Sequence, residues 1–267
     1  MLKFLLDCMD IYPEFRKRGL EVTSIAVTVI IWEIIARIIN KKYILPSFLE
    51  VVEAFIRLYH EGELYLDILT SLNYFVIGIG VAALVGIPIG IMMGWFKNVN
   101  RAVDPLIEMV RPIPPLAWIP FAILWFGLTK YAAGFVIFVG AVFPILINTY
   151  TGFKNTPRVL VESGRVLGCL KNRDIILRIA LPSALPHIAT GVRVGMGVGW
   201  MCVVAAELFG VSRYGIGWKI WHWNDLHHMD LVLTYMLILG FIALTIDRVF
   251  RFIVQNWWLK WQEGVIV

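Results

Sequence analysis

The chain is poor in charge and in cysteine. Charged residues make up 16% of its 267 residues, hydrophobic residues make up 59%, and the mean hydropathy is +0.76. A water-soluble domain is about one quarter charged, so a soluble core cannot absorb this apolar surplus and a lipid bilayer must. The three cysteines, Cys8, Cys169 and Cys202, are scattered, which favours neither a disulfide framework nor a zinc site. These shortages predict a single-domain membrane protein.

Signals for a bound nucleotide, a metal or a cleaved leader are also missing. The sequence contains no Gly-x4-Gly-Lys-Ser/Thr, so it has no P-loop for ATP phosphates, and we expect the chain to bind no cofactor. The histidines and aspartates within His222–Asp230 are too loosely spaced to predict a metal site. Residues 1–21 are charged and lack the apolar core of a signal peptide. They are predicted to form a cytosolic lead-in.

Six apolar segments are predicted to span the membrane as an all-α helical bundle. A hydrocarbon core of about 30 Å takes about 20 apolar residues per helix. In chain order the predicted spans are Val22–Ile39, Ser71–Met93, Leu116–Phe126, Ala132–Tyr150, Leu185–Phe209 and Leu231–Phe250. The third is short and rich in proline, which frees carbonyl groups, so it should face protein rather than lipid. The transmembrane domain is assigned to residues 22–250 and a cytosolic tail to residues 251–267.

The distribution of Lys and Arg predicts the orientation. With the N-terminus inside, the cytosolic segments hold fifteen of these residues and the outer segments hold six. This asymmetry places both termini in the cytosol of an inner-membrane protein. It also explains the net charge of +5 without any binding of nucleic acid. The outer segment Leu49–Asp67 is predicted to be a helix lying on the outer surface.

Glycines are concentrated in the second and fifth predicted spans. They are Gly78, Gly80, Gly86, Gly90, Gly191, Gly195, Gly197 and Gly199. Small residues allow helix backbones to approach closely in lipid. The two spans are therefore predicted to lie at the centre of the bundle.

The cytosolic loop 153–182 is longer than a simple connection requires. Thr156 and Pro157 are typical of a helix start, and Gly168 is typical of a helix stop. A second helix is predicted from Asn172 to Leu181, ending before Pro182. With six basic side chains, this helix–turn–helix is predicted to dock a cytosolic partner.

The residues of this loop resemble a known motif. Glu162-Ser163-Gly164, Gly168 and Ile179-Ala180-Leu181-Pro182 are similar to the Glu-Ala-Ala loop of ABC importer permeases, whose short helix docks into the ATPase subunit. The resemblance implies that Glu162, Ser163, Gly164, Arg165 and Gly168 couple the chain to that ATPase. The sequence departs from the motif in two places. Ser163-Gly164 replaces Ala-Ala, and the spacing from Gly168 to Ile179 is one residue longer.

A second resemblance identifies the subfamily. Arg111–Pro120, Leu124–Gly127 and Leu181–Pro186 are similar to the permeases of taurine, sulfonate, nitrate and bicarbonate importers, and Gly197–Leu208 most resembles the taurine-type members. The resemblance implies a type I ABC importer permease that translocates a small anion, with taurine or another alkanesulfonate first and nitrate or bicarbonate as alternatives. Permeases for thiamine precursors or riboflavin are related, so a neutral substrate is a further alternative.

The same resemblance implies the partners. They are a second permease copy in a homodimer, a pair of ABC ATPase subunits that use ATP and Mg²⁺, an external substrate-binding protein and membrane lipid. The permease itself is then a transport subunit and not an enzyme. A secondary transporter is a further, less favoured alternative. It should show inverted repeats and paired acids near the midplane, whereas the sequence shows no repeat and few acids deep in the spans.

Six residues are candidates for the translocation path. They are Arg111, Pro114, Trp118, Arg193, Trp200 and Glu207. Arg111 and Arg193 lie near the predicted cytosolic surface, where positive charge collects and long side chains reach the interface, so each has a structural alternative. For Trp200 the alternative is an aromatic belt. For Glu207, an intramembrane acid, the alternative is an ion pair with Arg213.

Overall fold

The computed structural model describes residues 23–208 and 214–258, in which helices joined by short connections account for the fold and no strand occurs. Residues 23–39 form α1. The following helices are α2 (Phe48–Glu61), α3 (Glu63–Trp95), α4 (Lys97–Val110), a 3₁₀ turn (Pro115–Trp118), α5 (Ile119–Phe126) and α6 (Lys130–Lys154). Then come α7 (Arg158–Val166), α8 (Asn172–Ile175), a π turn (Ile176–Ala180), α9 (Leu181–Leu208), α10 (Ile216–Asp225), α11 (Met229–Ile253) and a second π turn (Val254–Trp258).

Four continuous helical runs in the described residues are long and apolar enough to cross a membrane. They are α3, α6, the run Asn172–Leu208 that ends with α9, and the run Met229–Trp258 that begins with α11. The first, second and fourth of these runs each contain a whole predicted span, and the third contains the fifth predicted span as far as Leu208, since Phe209 lies outside the described residues. The first predicted span is helical over residues 23–39, and Val22 lies outside the described residues. The count of six spans stays a prediction, as do the cytosolic lead-in and both termini.

The third predicted span is not a single straight helix. The eight residues of α5 are too short to cross a bilayer alone, since about 20 are needed. Helix α4 and the segment Pro115–Phe126 together pass the length and composition test, but they are bent by 89°. The prolines between Arg111 and Pro115 cause the break, because their rings fix φ and remove backbone donors. If this bent pair counts as one span, the described residues contain at most five membrane crossings.

Helices α3, α6 and α9 pack side by side, and α6 is the most buried of the three. In the most apolar stretch of each helix, 67% of residues are buried in α6, 61% in α9 and 28% in α3. The prediction that the second span is central is therefore wrong, and the fourth span takes that place. Nearly all of the large core cluster comes from these three helices together with α5.

Glycine brings α6 close to both neighbours. A Cβ atom on Gly90 of α3 would lie 2.7 Å from the carbonyl oxygen of Leu146, and one on Gly195 of α9 would lie 3.0 Å from that of Ala141. No side chain fits at such distances without moving a backbone. The predicted close packing is confirmed at these positions. It is wrong for Gly80 and Gly197, which face open space within this chain.

The predicted outer surface helix is divided at Gly62. Ser47 and Glu50 form a capping box at the start of α2, and Gly62 ends that helix with φ of +76°. Asp67 therefore lies in α3, where it is fully buried. The hydrogen bond from Lys42 and the backbone N–H of Ser47 together hold the pKa of Glu50 below its usual value.

Candidate functional site

The short helix α7 stands at the tip of the α6–α9 hairpin. It begins one residue later than predicted, because Pro157 is its N-cap. Gly168 ends it with φ of +95°, as predicted. The N–H of Cys169 donates to the carbonyl of Gly164 at 3.0 Å, and the N–H of Gly168 donates to that of Arg165 at 3.1 Å, which is a Schellman motif. The loop therefore holds a complete, well-terminated helix.

Most of the surface of α7 and its turn is uncovered. Val166, Leu167 and Leu170 are more than 80% exposed. Glu162, Ser163, Arg165 and Gly168 are also exposed, so four of the five predicted coupling residues are available to a partner. Exposed apolar side chains grouped among charges are typical of a protein interface.

Gly164 is the one buried residue of α7, and it seats the helix on the segment before α9. A Cβ atom there would lie 2.0 Å from Cδ1 of Ile179. Ile179 belongs to the π turn, in which the N–H of Leu181 bonds to the carbonyl of Ile176. The predicted helix end before Pro182 is wrong, because the chain runs without interruption from Asn172 to Leu208.

The π turn explains how the helix continues through this region. A π turn takes one residue more than an α turn, and the one-residue-longer spacing between Gly168 and Ile179 falls in the same stretch. Pro182 is the second residue of α9, where the wider turn has already replaced the regular α-helical bonding pattern. The proline therefore sits inside a continuous helix instead of ending it.

Two cavities meet at Arg111. The larger, of about 590 Å³, lies against α4 and α6 and also contains Asp104 and Glu108 in its wall. The smaller, of about 320 Å³, lies between the proline-rich segment, α6 and α9. Arg111 and Ile147 line both cavities, and Arg111 is the single ionisable side chain in the wall of the smaller one. Among the described residues, none forms an ion pair with this exposed arginine.

Pro114 and Trp118 flank the smaller cavity without lining it. Pro114 is the N-cap of the 3₁₀ turn, and its neighbour Pro115 contributes to the cavity wall. Trp118 packs into an aromatic cluster, with ring centroids 6.2 Å from Phe121 and 6.3 Å from Phe135. Their assignment to the path stays a prediction.

Arg193 and Trp200 belong to a different groove, between α9 and α11, with a volume of about 300 Å³. Arg193 forms a bidentate pair with Asp247, at 2.6 and 3.2 Å, and Arg251 donates to the same carboxylate at 2.9 Å. The indole of Trp200 is buried and donates to the carbonyl of Leu239 at 3.2 Å. The charge of Arg193 is therefore already matched within the chain, unlike that of Arg111.

Glu207 is buried at the far end of α9 and lines none of these cavities. Ser71 Oγ donates to its Oε1 at 2.7 Å, and the N–H of Gly217 donates to its Oε2 at 2.6 Å. The proposed partner Arg213 lies outside the described residues. The sequence reasoning missed Asp67, which is also buried and accepts from the hydroxyl of Tyr235 at 2.8 Å. Its signal was an acid inside an apolar run.

The six candidate path residues therefore lie in separate places, with Pro114 and Trp118 beside the smaller cavity. Arg111 stands where two cavities meet, Arg193 and Trp200 line a groove on the other side of α9, and Glu207 is enclosed near the start of α10. Within residues 23–208 and 214–258, no three His, Cys, Asp or Glu side chains are grouped so as to hold a metal ion. His222 instead stacks on Trp218 with ring centroids 4.7 Å apart.

Comparisons with known proteins agree with this architecture. Residues 86–257 match the family described as binding-protein-dependent transport system inner membrane component. A protein of Methanocaldococcus jannaschii named as an ABC transporter permease is 42% identical over 248 residues, which cover 91% of this chain and 92% of the relative. The bicarbonate transport system permease of Synechococcus elongatus is 36% identical, covering 74% of this chain and 70% of the relative.

Further relatives differ in the substrate that they are named for. The taurine transport system permease of Escherichia coli is 30% identical, covering 88% of this chain and 87% of the relative. A solved structure of the MetNI methionine ABC transporter superposes with a TM-score of 0.62 at 19% identity, covering 73% of this chain and 98% of that chain. This last likeness concerns the fold. The chain belongs to the binding-protein-dependent transport family and is a multi-pass inner-membrane permease of an ABC importer.

Proposed function

We propose that the chain provides the membrane path for a small oxyanion in an ATP-driven importer. The observation that carries the proposal is Arg111, an unpaired guanidinium at the junction of two cavities. The two acidic side chains in those walls, Asp104 and Glu108, line the larger cavity alone. The smaller cavity therefore presents one positive charge in an otherwise uncharged wall.

An oxyanion fits this charge better than a neutral solute does. A guanidinium offers a planar pair of donors that match carboxylate, sulfonate or nitrate oxygens. The surrounding wall is mostly apolar, so few other groups compete for the anion. A single arginine gives modest affinity, which suits a passage that must also release its solute.

The candidate substrates are a few small solutes that carry an oxyanion group. Relatives are named for the transport of bicarbonate, taurine and nitrate, and all three solutes carry the chemistry that Arg111 would recognise. The sequence resemblance puts taurine or another alkanesulfonate first. In the alternative of a thiamine precursor or riboflavin, the charge of Arg111 would contribute little.

Energy enters from the cytosolic side. The exposed face of α7, with Glu162, Ser163 and Arg165, docks an ABC ATPase subunit that holds ATP and Mg²⁺. A second permease copy completes the path, since the cavities of one chain are open to its surface. An external binding protein delivers the solute to the opposite face. The two states of the transporter are then biased by nucleotide through differential binding at α7.

The proposal is tested by removing the charge of Arg111. The permease is reconstituted with its ATPase and binding protein, and ATP-dependent uptake of labelled taurine, nitrate and bicarbonate is measured. Hydrogen bonds to charged groups contribute about 1.5–3 kcal/mol, so Arg111→Gln should lower uptake of the transported anion roughly 10- to 100-fold.

The matched control is Arg101→Gln, which removes an exposed arginine from α4 outside both cavities. Uptake by this variant should stay within about twofold of the wild type, as for most surface substitutions. Equal uptake by the Arg111 and Arg101 variants would contradict the role of Arg111. Labelled riboflavin is measured in parallel, and its uptake without uptake of taurine, nitrate or bicarbonate would contradict the anion assignment.

A further inference from the structure

Four buried side chains and three backbone amides form one hydrogen-bond network near the start of α10, and we name it the outer latch. The amides are the N–H groups of residues 215–217, which donate in turn to Asp67 Oδ1 at 3.1 Å, Ser71 Oγ at 3.0 Å and Glu207 Oε2 at 2.6 Å. Ser71 and Tyr235 supply the hydroxyl donors to the remaining carboxylate oxygens. Each of the four carboxylate oxygens therefore accepts a hydrogen bond.

The latch replaces a local helix cap. The first amides of a helix have no intrahelical partner, and a Ser, Thr, Asp or Asn usually caps them. The N-cap of α10 is Gly215, which has no side chain and forms no side-chain cap. Asp67 and Ser71 on α3 and Glu207 on α9 supply the acceptors instead. The position of α10 therefore depends on two other helices.

The fit around Glu207 is tight. Gly215 has φ of +134°, and a Cβ atom there would lie 2.6 Å from the carboxylate carbon of Glu207. A Cβ atom on Gly217 would lie 2.8 Å from the backbone of Val204. The glycines thus let the backbone of α10 approach the end of α9 closely. The carboxylate fills the space that side chains would otherwise occupy.

Helix α9 links the latch to the docking surface. It runs from the π turn beneath Gly164 to Glu207, a length of about 42 Å at 1.5 Å per residue. The helix packs along α6, from which α7 is separated by only residues 155–157. At the other end of α9, α10 exposes Trp221, and its C-cap Leu226 is also exposed. One pair of packed helices therefore joins the α7 surface to the α10 surface.

We propose that Asp67, Ser71 and Glu207 are positioning residues that make α10 move with α9, so that the nucleotide state at α7 reaches the outer face. The inference rests on the proposed docking of an ATPase at α7. Without the latch, α10 would keep its apolar packing, because Ile216 belongs to the same buried cluster as Leu58 and Tyr235. It would lose the polar bonds that tie its first turn to α3 and α9.

The test compares amide exchange at both ends of α9. The permease–ATPase complex is placed in lipid nanodiscs, and deuterium uptake is measured without nucleotide and after trapping with ATP and vanadate. In the wild type, trapping should change exchange in both α7 and α10. In Glu207→Gln and in Ser71→Ala, the change at α7 should persist, and the change at α10 should fall at least about fivefold.

The controls separate the latch from general damage. Thr190→Ala removes one hydroxyl bond from an exposed site on α9, the bond to the carbonyl of Pro186, and should leave both responses unchanged. Ser71→Thr keeps the hydroxyl and should restore the α10 response. A full α10 response in either folded latch variant would overturn the inference, as would a wild type in which α7 responds and α10 does not. Absence of any α7 response in the wild type would instead overturn the proposed ATPase docking.

Discussion

Replacing Gly164 by leucine is expected to uncouple the permease without unfolding it. Gly164 is the contact through which α7 rests on Ile179, and a Cβ atom there already lies 2.0 Å from Ile179 Cδ1 and 3.4 Å from Cγ1. An alanine needs only a rotation of the terminal methyl, at a cost of about 0.5–1.5 kcal/mol for an off-rotamer side chain. A leucine adds three further carbons, which a methyl rotation cannot accommodate, so α7 must move.

The size of the effect follows from overpacking. Extra carbons in a packed contact cost about 1–3 kcal/mol. If this cost opposes the docked position of α7, coupling should weaken about 5- to 150-fold. The unfolding temperature should change little, because Gly164 is the one buried residue of α7 and the large core cluster lies in other helices.

The assay measures ATP-dependent uptake and binding of the ATPase to Gly164→Leu. Gly164→Ala serves as the mild comparison, and Ile179→Ala in the leucine background tests the contact itself. Making room at Ile179 should recover part of the lost uptake, which a double-mutant cycle would record as coupling between the two sites. Wild-type uptake by Gly164→Leu, or a loss that Ile179→Ala does not change, would refute the reasoning.

Two further predictions concern packing and pH. Gly195→Val should lower the free energy of unfolding by about 1–3 kcal/mol, because the valine side chain would meet the backbone of α6. Gly197→Ala should not lower it, because Gly197 faces open space. Thermal unfolding in detergent compares the two variants, and equal shifts of the unfolding temperature would contradict the packing argument. Glu50 has a lowered pKa through its bonds to Lys42 and the Ser47 N–H, so its stabilisation of α2 is present above its unfolded value of 4.5 and is lost as pH falls below it. Glu50→Gln should remove this pH dependence, and amide exchange in α2 that keeps it would contradict the assignment.

The sequence predicted the long helices because their signal is local. Apolar runs of about 20 residues mark membrane helices without knowledge of their neighbours. The helices α3, α6 and α11 contain the expected spans, and α9 covers the described part of a fourth. The helix in loop 153–182 was found from its start and stop residues for the same reason. Its boundary moved by only one residue, at Pro157.

Features that depend on neighbouring helices escaped prediction. To predict the 89° bend after α4, one must know the directions of both helices, and hydrophobic periodicity does not give them. The π turn continues a helix that Pro182 was predicted to end, because a wide turn is not visible in residue types. In the outer latch, Ser71 and Glu207 are 136 residues apart and Asp67 and Tyr235 are 168 apart.

The candidate path was predicted only in part for a related reason. Arg111 and Arg193 look alike in the sequence, since both are single arginines near the predicted cytosolic surface. The structure distinguishes them by a partner on another helix: Asp247 of α11 neutralises Arg193, and Arg111 has no such acid among the described residues. The sequence could therefore locate positive charge near the path, but it could not show whether that charge is paired with an acid on another helix.

The central claim is that ATP drives a small oxyanion through this permease. It is tested most directly by reconstituting the wild-type chain with its ATPase and binding protein in liposomes and measuring accumulation of labelled taurine, nitrate and bicarbonate. One of these three solutes, each of which carries an oxyanion group, should accumulate against its gradient only when ATP is supplied on the side where α7 is exposed. Accumulation that follows a proton or sodium gradient and ignores ATP would contradict it.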